Sequence, residues 1–281
     1  MKVIDKISAL RKTVGEVRNK GLSIGFVPTM GFLHKGHLSL VKAAREDNDF
    51  VVISIFVNPI QFGEGEDYDE YPRDLERDLA LASDEGCDLI FSPTVKEMYP
   101  PGYSTFVDVE KLTNTLCGAH RPGHFRGVTT VVAKLFNLVT PDRVYFGQKD
   151  GQQALVLKKM ATDLNMNLAF HILPTVREED GLAMSSRNKY LSPEQRRHAV
   201  VLYKSLQEVK KRIEDGERRS KTLKQIMLNM IGAAGYSQVD YVEIVETQNV
   251  LPVETVEGEC LVALAVRFGK TRLIDNILVE V

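Results

Sequence analysis

The first two-thirds of the chain alternates short apolar runs with amphipathic stretches. Residues 23–27, 51–57, 89–91, 144–146 and 168–173 are dominated by hydrophobic side chains, as expected of strands covered on both faces. Between them, residues 75–85, 129–139 and 152–164 place apolar side chains at helical spacing. Strands alternating with helices predict an α/β unit built on a parallel sheet.

The last third has a different rhythm. Ser192-Pro193-Glu194-Gln195 combines a capping serine, a proline at the first helical position and a glutamine three residues after the serine, which together start a helix. Ala199, Leu202, Leu206, Val209 and Ile213 then recur on one face, and a second helix is predicted at 223–231. Strand-like runs follow at 239–245, 260–268 and 272–279. Helices followed by successive strands predict a smaller α+β domain. The boundary falls near 176–188, giving domains 1–176 and 177–281.

Composition narrows this picture only modestly. The 281 residues are 43% hydrophobic and 26% charged, with a formal net charge of -2. That balance suits a soluble globule and offers no electrostatic case for nucleic acid. Cys87, Cys117 and Cys260 are odd in number and far apart, against a disulfide framework and for a reducing compartment. Residues 50–57 are too short to span a bilayer, which needs ~20 residues, and no targeting segment is evident. The expectation is a cytoplasmic enzyme with no membrane partner.

Candidate chemistry concentrates where predicted strands end. Ligands of open α/β sheets bind beyond the carboxyl ends of the strands. After the first run comes Pro28-Thr29-Met30-Gly31-Phe32-Leu33-His34-Lys35-Gly36-His37, leading into a helix. A helix N-terminus carries unpaired N–H groups and suits phosphate, and two histidines three apart share a face. Asn58-Pro59-Ile60-Gln61-Phe62-Gly63 follows the second run, and Gly147-Gln148-Lys149-Asp150-Gly151-Gln152-Gln153 the fourth. After the fifth come Val176 and then Met184-Ser185-Ser186-Arg187-Asn188. Singly, each is equally a cap, turn or solvated loop. Their convergence at strand ends points to an enzyme that handles a nucleotide.

Other features remain open on sequence alone. Val128, Val131 and Val132 share a helix face, as core or as the wall of a substrate pocket. The acidic run from Glu64 to Asp78 reads as a solvated face or mobile loop. Tyr99-Pro100-Pro101-Gly102-Tyr103 reads as a turn or a lid, and His120, His171 and His198 as surface or core residues. The alternatives are an adenylyl- or cytidylyl-transferase on the same fold, a metal-dependent hydrolase using His34, His37 and His124, and a non-catalytic binding module.

His34-Lys35-Gly36-His37 resembles the HIGH-type motif of the nucleotidyltransferase superfamily, and Met184-Ser185-Ser186-Arg187 resembles its mobile KMSKS-like loop. Longer strings are similar to the pantothenate synthetase (pantoate-β-alanine ligase) family. They are Pro28–Gly31, 56–63, Tyr71-Pro72-Arg73, Arg121-Pro122-Gly123-His124-Phe125, 145–150, 185–188 and Thr271-Arg272-Leu273-Ile274-Asp275-Asn276. They occur in the family's order and cover essentially the whole chain.

This resemblance implies a Rossmann-like nucleotide domain, a smaller C-terminal lid domain and a homodimer. It implies condensation of ATP, (R)-pantoate and β-alanine to pantothenate, AMP and pyrophosphate through a pantoyl-adenylate, with Mg²⁺ accompanying ATP. No residue is singled out as a Mg²⁺ ligand. ATP is expected along Met30, Gly31, Phe32, Leu33, His34, Lys35, Gly36 and His37. Gly147, Gln148, Lys149 and Asp150 follow, with Asp150 on the ribose, then Val176 and Met184, Ser185, Ser186 and Arg187. His34, His37 and Lys149 are the expected catalytic residues, stabilising the departing pyrophosphate. Gln61 is expected to contact pantoate and β-alanine and Gln153 pantoate, with Asn58, Val131 and Val132 beside them. Lys35 and Gly151 depart from the family's pattern. Lys35 is expected to face away from the site, and Gly151 to loosen the placement of Gln153.

Overall fold

The computed structural model describes all 281 residues, Met1–Val281. The chain divides into two compact units. One comprises Met1–Val109, Arg121–Gly147 and Val156–Leu173; the other comprises Glu110–His120, Gln148–Leu155 and Pro174–Val281.

The first unit is a six-stranded sheet, parallel throughout. Its strands are β1 (Lys2–Ile4), β2 (Ile24–Thr29), β3 (Phe50–Ile55), β4 (Leu89–Phe91), β5 (Arg143–Gly147) and β6 (Ala169–Leu173), in spatial order β1-β4-β3-β2-β5-β6. All five expected strands are present within two residues at each end. β1 escapes a pattern reading because it is a largely exposed edge of three residues. β2 continues through Pro28 and Thr29, in register with Ser54 and Ile55 of β3. Its pairing with β5 stops at Phe26. Pro28, with no N–H to donate, therefore sits where β2 is paired on one side only.

The chain proceeds from β2 to β3 and β4 on one side, then to β5 and β6 on the other. The strand order therefore reverses between β2 and β5, where open α/β sheets bind ligands. One sheet face is closed by the helix Lys35–Asp47, whose Leu40, Val41 and Ala44 pack with Val27, Val51, Ile53 and Ile90. The helix His124–Val139 is buried along most of its length, and its Phe136 ring meets Phe26 of β2 edge-on at 6.3 Å.

In the second unit, Ser192 and Gln195 form the expected capping box before Pro193–Ala199, and Val201–Glu214 continues after Val200. With the helix Ser220–Ala233, these cover the antiparallel sheet β7 (Ser237–Glu246), β8 (Glu259–Phe268) and β9 (Thr271–Glu280). Leu202, Leu206, Val209, Leu223, Met227 and Ile231 form the core with Val262, Leu264 and Val266 of β8. Two segments from the first 176 residues also belong here, bound by polar contacts that no periodicity reveals. Gln152 accepts from the Cys117 amide and donates to the carbonyls of Leu112 and Thr115, all at 2.9 Å.

Candidate active site

Beyond β2 the backbone turns sharply, with Gly31 at φ 84° and Phe32 at φ 52°. A side chain at position 31 would meet Ile55 Cγ2 at 2.9 Å and Asp78 Oδ2 at 3.0 Å, so glycine is required for room as well as conformation. Asp78 then clamps the turn. Its two carboxylate oxygens accept from the Phe32 and Leu33 amides at 2.6 and 2.7 Å. Within the acidic run expected to be solvated, Asp78 is the correction: it is 1% exposed, whereas Glu64, Asp69, Glu70, Asp74 and Glu76 are exposed. Burial raises its carboxyl above the ordinary range, against the lowering effect of the two amides and Arg77.

His34 caps the helix Lys35–Asp47 and His37 is its third residue. The Gly36 amide donates to His34 Nδ1 at 3.1 Å, and the His34 amide donates to His37 Nδ1 at 3.4 Å. This is a capping box made by two imidazoles, whose rings lie 4.1 Å apart. Because each Nδ1 accepts, the proton of each neutral ring resides on Nε2. The helix start thereby joins two ring donors to its backbone dipole, a combination suited to a polyphosphate. Lys35 is exposed.

Beyond β3, Asn58 and Gln61 lie in a short turn against the helix His124–Val139 and are 1% and 8% exposed. Only glycine allows the approach, because a Cβ at Gly127 would meet Ile60 O at 2.3 Å and Gln61 Cα at 2.6 Å. Asn58 Nδ2 donates to Gly127 O and to Gln61 Oε1, both at 3.1 Å. His124 Nδ1 donates to Gln61 O at 2.8 Å, and its Nε2 accepts from Arg121 at 2.9 Å. Arg121 in turn grips Glu66 through Nε, at 2.6 Å, and a second nitrogen, at 2.5 Å. His124 is thus committed to the backbone, and no group of three or more His, Cys, Asp or Glu side chains could hold a metal ion. That removes the basis for the hydrolase reading. Val128, Val131 and Val132 are at most 5% exposed.

In the second unit, Lys149 Nζ lies 3.3 Å from Asp150 Oδ1 in a single helical turn ahead of Gly151. Asn276 of β9 holds that turn, donating to the carbonyls of Gln148 and Lys149 at 2.9 Å and accepting from Gln148 Nε2 at 2.7 Å. A Cβ at Gly151 would stand 3.1 Å from Asn276 Oδ1, so the glycine makes room for this brace. Gln153 is half-buried. Met184 donates its amide to Val176 O at 3.0 Å, bringing two separately expected ATP segments together. Ser185 Oγ accepts from the Arg187 amide at 3.2 Å, and Ser186 is buried.

Sequence reasoning overlooked Asp78 and assigned Asn276 no role. Asp78 carried no local signal among so many carboxylates, whereas Asn276 lay within a family-specific string. His120, His171 and His198 lie against the rings of Tyr241, Tyr145 and Tyr236, as surface or core residues do.

An open parallel sheet whose order reverses beside a histidine-capped helix defines an α/β nucleotide-binding protein of the HxGH type. Comparison with known proteins narrows the class. The family model for pantoate-beta-alanine ligase matches residues 2–278. Pantothenate synthetases from Acetivibrio thermocellus and Pelotomaculum thermopropionicum are 57% and 60% identical, covering 100% and 98% of both chains. The crystal structure of pantothenate synthetase from Thermus thermophilus superposes with a TM-score of 0.94 at 48% identity, covering 99% of each chain. That of pantoate-beta-alanine ligase from Francisella tularensis, complexed with beta-gamma ATP and beta-alanine, gives 0.82 at 34%, covering 99% of this chain and 97% of that one. The chain belongs to the pantoate-β-alanine ligase family.

Proposed function

We propose that this chain condenses pantoate with β-alanine at the expense of ATP, with the residues above dividing the work. The family's reaction has two steps. A pantoate carboxylate oxygen attacks the α-phosphorus of ATP, the bond to the pyrophosphate oxygen breaks, and pantoyl-adenylate forms. The β-alanine amine then attacks the acyl carbon, loses a proton and expels AMP, leaving pantothenate. Adenylation is needed because a carboxylate oxygen is a poor leaving group and AMP a good one.

His34, His37 and Lys149 stabilise the charge that gathers on the departing pyrophosphate. The observation that carries this is the imidazole capping box, which leaves both Nε2 atoms as donors before ATP arrives. One charge pair at 4 Å contributes ~4 kcal/mol at an effective dielectric of 20, against ~1 in water. Excluding water therefore matters, and Ser185, Ser186 and Arg187 contribute to closure. Met30–Lys35, Gly147, Gln148, Asp150, Val176 and Met184 complete the ATP contacts, with Asp150 on the ribose. Nothing within 4 Å would contact a Cβ at Gly147, leaving room for close backbone approach.

Gln61 and Gln153 hold pantoate by neutral amides, which orient its carboxylate without blunting its nucleophilicity as arginines would. Gln61 also contacts β-alanine, and Val131 and Val132 line the pantoate side. No cluster of three or more His, Cys, Asp or Glu side chains forms a metal cage, so an accompanying Mg²⁺ would be held chiefly by the ATP phosphates and water, with one or two carboxylates at most. A homodimer in the cytoplasm completes the reading; no helix is long and apolar enough to cross a membrane.

The test is His37→Ala in single turnover. Pyrophosphate release should slow at least a hundredfold, while attack of β-alanine on supplied pantoyl-adenylate stays within about threefold. Equal slowing of both steps would refute the assignment.

A further inference from the structure

The amide of Gln61 must present its nitrogen, not its oxygen, to a carboxylate. A glutamine amide has nearly the same shape either way round, so something must choose between the two. The choice can be traced from a group that has none. The Gly127 carbonyl only accepts, and Asn58 faces it at 3.1 Å, so the atom there is Asn58 Nδ2. The same NH₂ group has a second hydrogen, which it donates to Gln61 at 3.1 Å; the atom it meets is therefore Oε1. Gln61 Nε2 is left on the other side, donating to Met30 Sδ at 3.0 Å. A thioether is a weak acceptor that a substrate carboxylate readily displaces.

One atom of Asn58 remains to be satisfied. Its Oδ1 accepts from the Tyr99 hydroxyl at 2.8 Å, in a place where Asn58 is 1% exposed. The phenol is held for this purpose. Its ring lies 6.2 Å from Phe56 and 5.0 Å from Tyr103. Burial, reinforced by Tyr103, pushes its pKa far above the ordinary value, so it remains a donor throughout the working pH range.

We propose that Tyr99 is a positioning residue for substrate binding: through Asn58, its hydroxyl fixes which end of the Gln61 amide faces the pantoate carboxylate. The proposal rests on the reading of Gln61 as a pantoate-binding residue. The segment around Tyr99, which in sequence reads as a turn or a lid, acts two residues removed from the substrate. Without the hydroxyl, Asn58 Oδ1 is a buried acceptor lacking a donor. Asn58 must then turn away from Gln61 or remain unsatisfied, and either outcome loosens the amide.

The experiment is a double-mutant cycle of Tyr99→Phe and Gln61→Ala, with steady-state KM measured for pantoate, β-alanine and ATP. Tyr99→Phe keeps the ring and removes one oxygen. It should raise KM for pantoate roughly five- to tenfold, the effect of losing one buried hydrogen bond, and leave KM for ATP unchanged. In the Gln61→Ala background the same change should have no further effect, because the group it orients is gone. A merely structural role for Tyr99 would affect all substrates and persist in that background, and this result would overturn the proposal. Should Gln61→Ala raise KM for pantoate while Tyr99→Phe leaves it within twofold, the relay is wrong and the Gln61 assignment stands. Should Gln61→Ala leave KM for pantoate unchanged, the assignment fails and the relay with it.

Discussion

Asp78→Asn should separate the two chemical steps by disturbing a residue that need not touch a substrate. The carboxylate places one oxygen on each of two amides, Phe32 at 2.6 Å and Leu33 at 2.7 Å. Asparagine preserves the shape but has one acceptor, and its NH₂ would confront the other amide. One charge-assisted hydrogen bond is lost, worth ~1.5–3 kcal/mol, and one buried N–H is left unsatisfied at ~1–3 kcal/mol. Relief of the buried charge offsets part of this, leaving a net loss of roughly 2 kcal/mol. The 3.6 Å contact with Arg77, itself 43% exposed, adds little. The strained turn feeds directly into the His34 cap, so relaxation there displaces the imidazoles. If the full loss reaches the adenylation transition state, that step slows about thirtyfold. The assay is quenched-flow pyrophosphate release, alongside β-alanine attack on supplied pantoyl-adenylate and urea denaturation. Adenylation should slow, the second step should stay within about threefold, and stability should fall by up to ~2 kcal/mol. Wild-type adenylation with stability changed by less than ~0.5 kcal/mol would show that the amides find other partners and refute the clamp.

Other substitutions probe the rest of the framework. Burial raises the Glu66 carboxyl, but hydrogen bonds and charge from Arg121 outweigh it and hold the group at about 2 against an ordinary 4.5. A depressed carboxyl contributes stability above pH 4.5 that is lost as pH falls toward 2. After discounting for partial exposure, Glu66→Gln should cost ~1–2 kcal/mol at neutral pH and flatten acid unfolding over that interval, measured by denaturation across pH. Gly127→Ala drives a methyl into the backbone of Ile60 and Gln61; it should destabilise by ~1–3 kcal/mol and raise KM for pantoate. Asn276→Ala releases the carbonyls of Gln148 and Lys149 and should raise KM for ATP about tenfold, with KM for β-alanine unchanged. Gln153→Arg should tighten pantoate binding yet slow adenylate formation; faster adenylation in single turnover would contradict the neutral-amide argument.

Periodicity and local chemistry by themselves determined much of this protein. Continuous apolar runs marked five of the six strands, although β6 is only partly covered, and Ser192-Pro193-Glu194-Gln195 could scarcely be anything but a helix start. Both rest on interactions within a few residues, which order in sequence records directly. His34 and His37 were legible for the same reason, because a helix cap spans four positions. Tertiary structure decided which polar groups are partners across long separations. Asp78 lies over forty residues from the amides it holds, Gly127 over sixty from the Gln61 turn, and Asn276 over one hundred from Lys149. A carboxylate, a glycine and an asparagine look alike wherever they occur in a sequence. Only folding removes water from around one of each and fixes which partners lie within reach, and that turns an ordinary residue into a brace for the site.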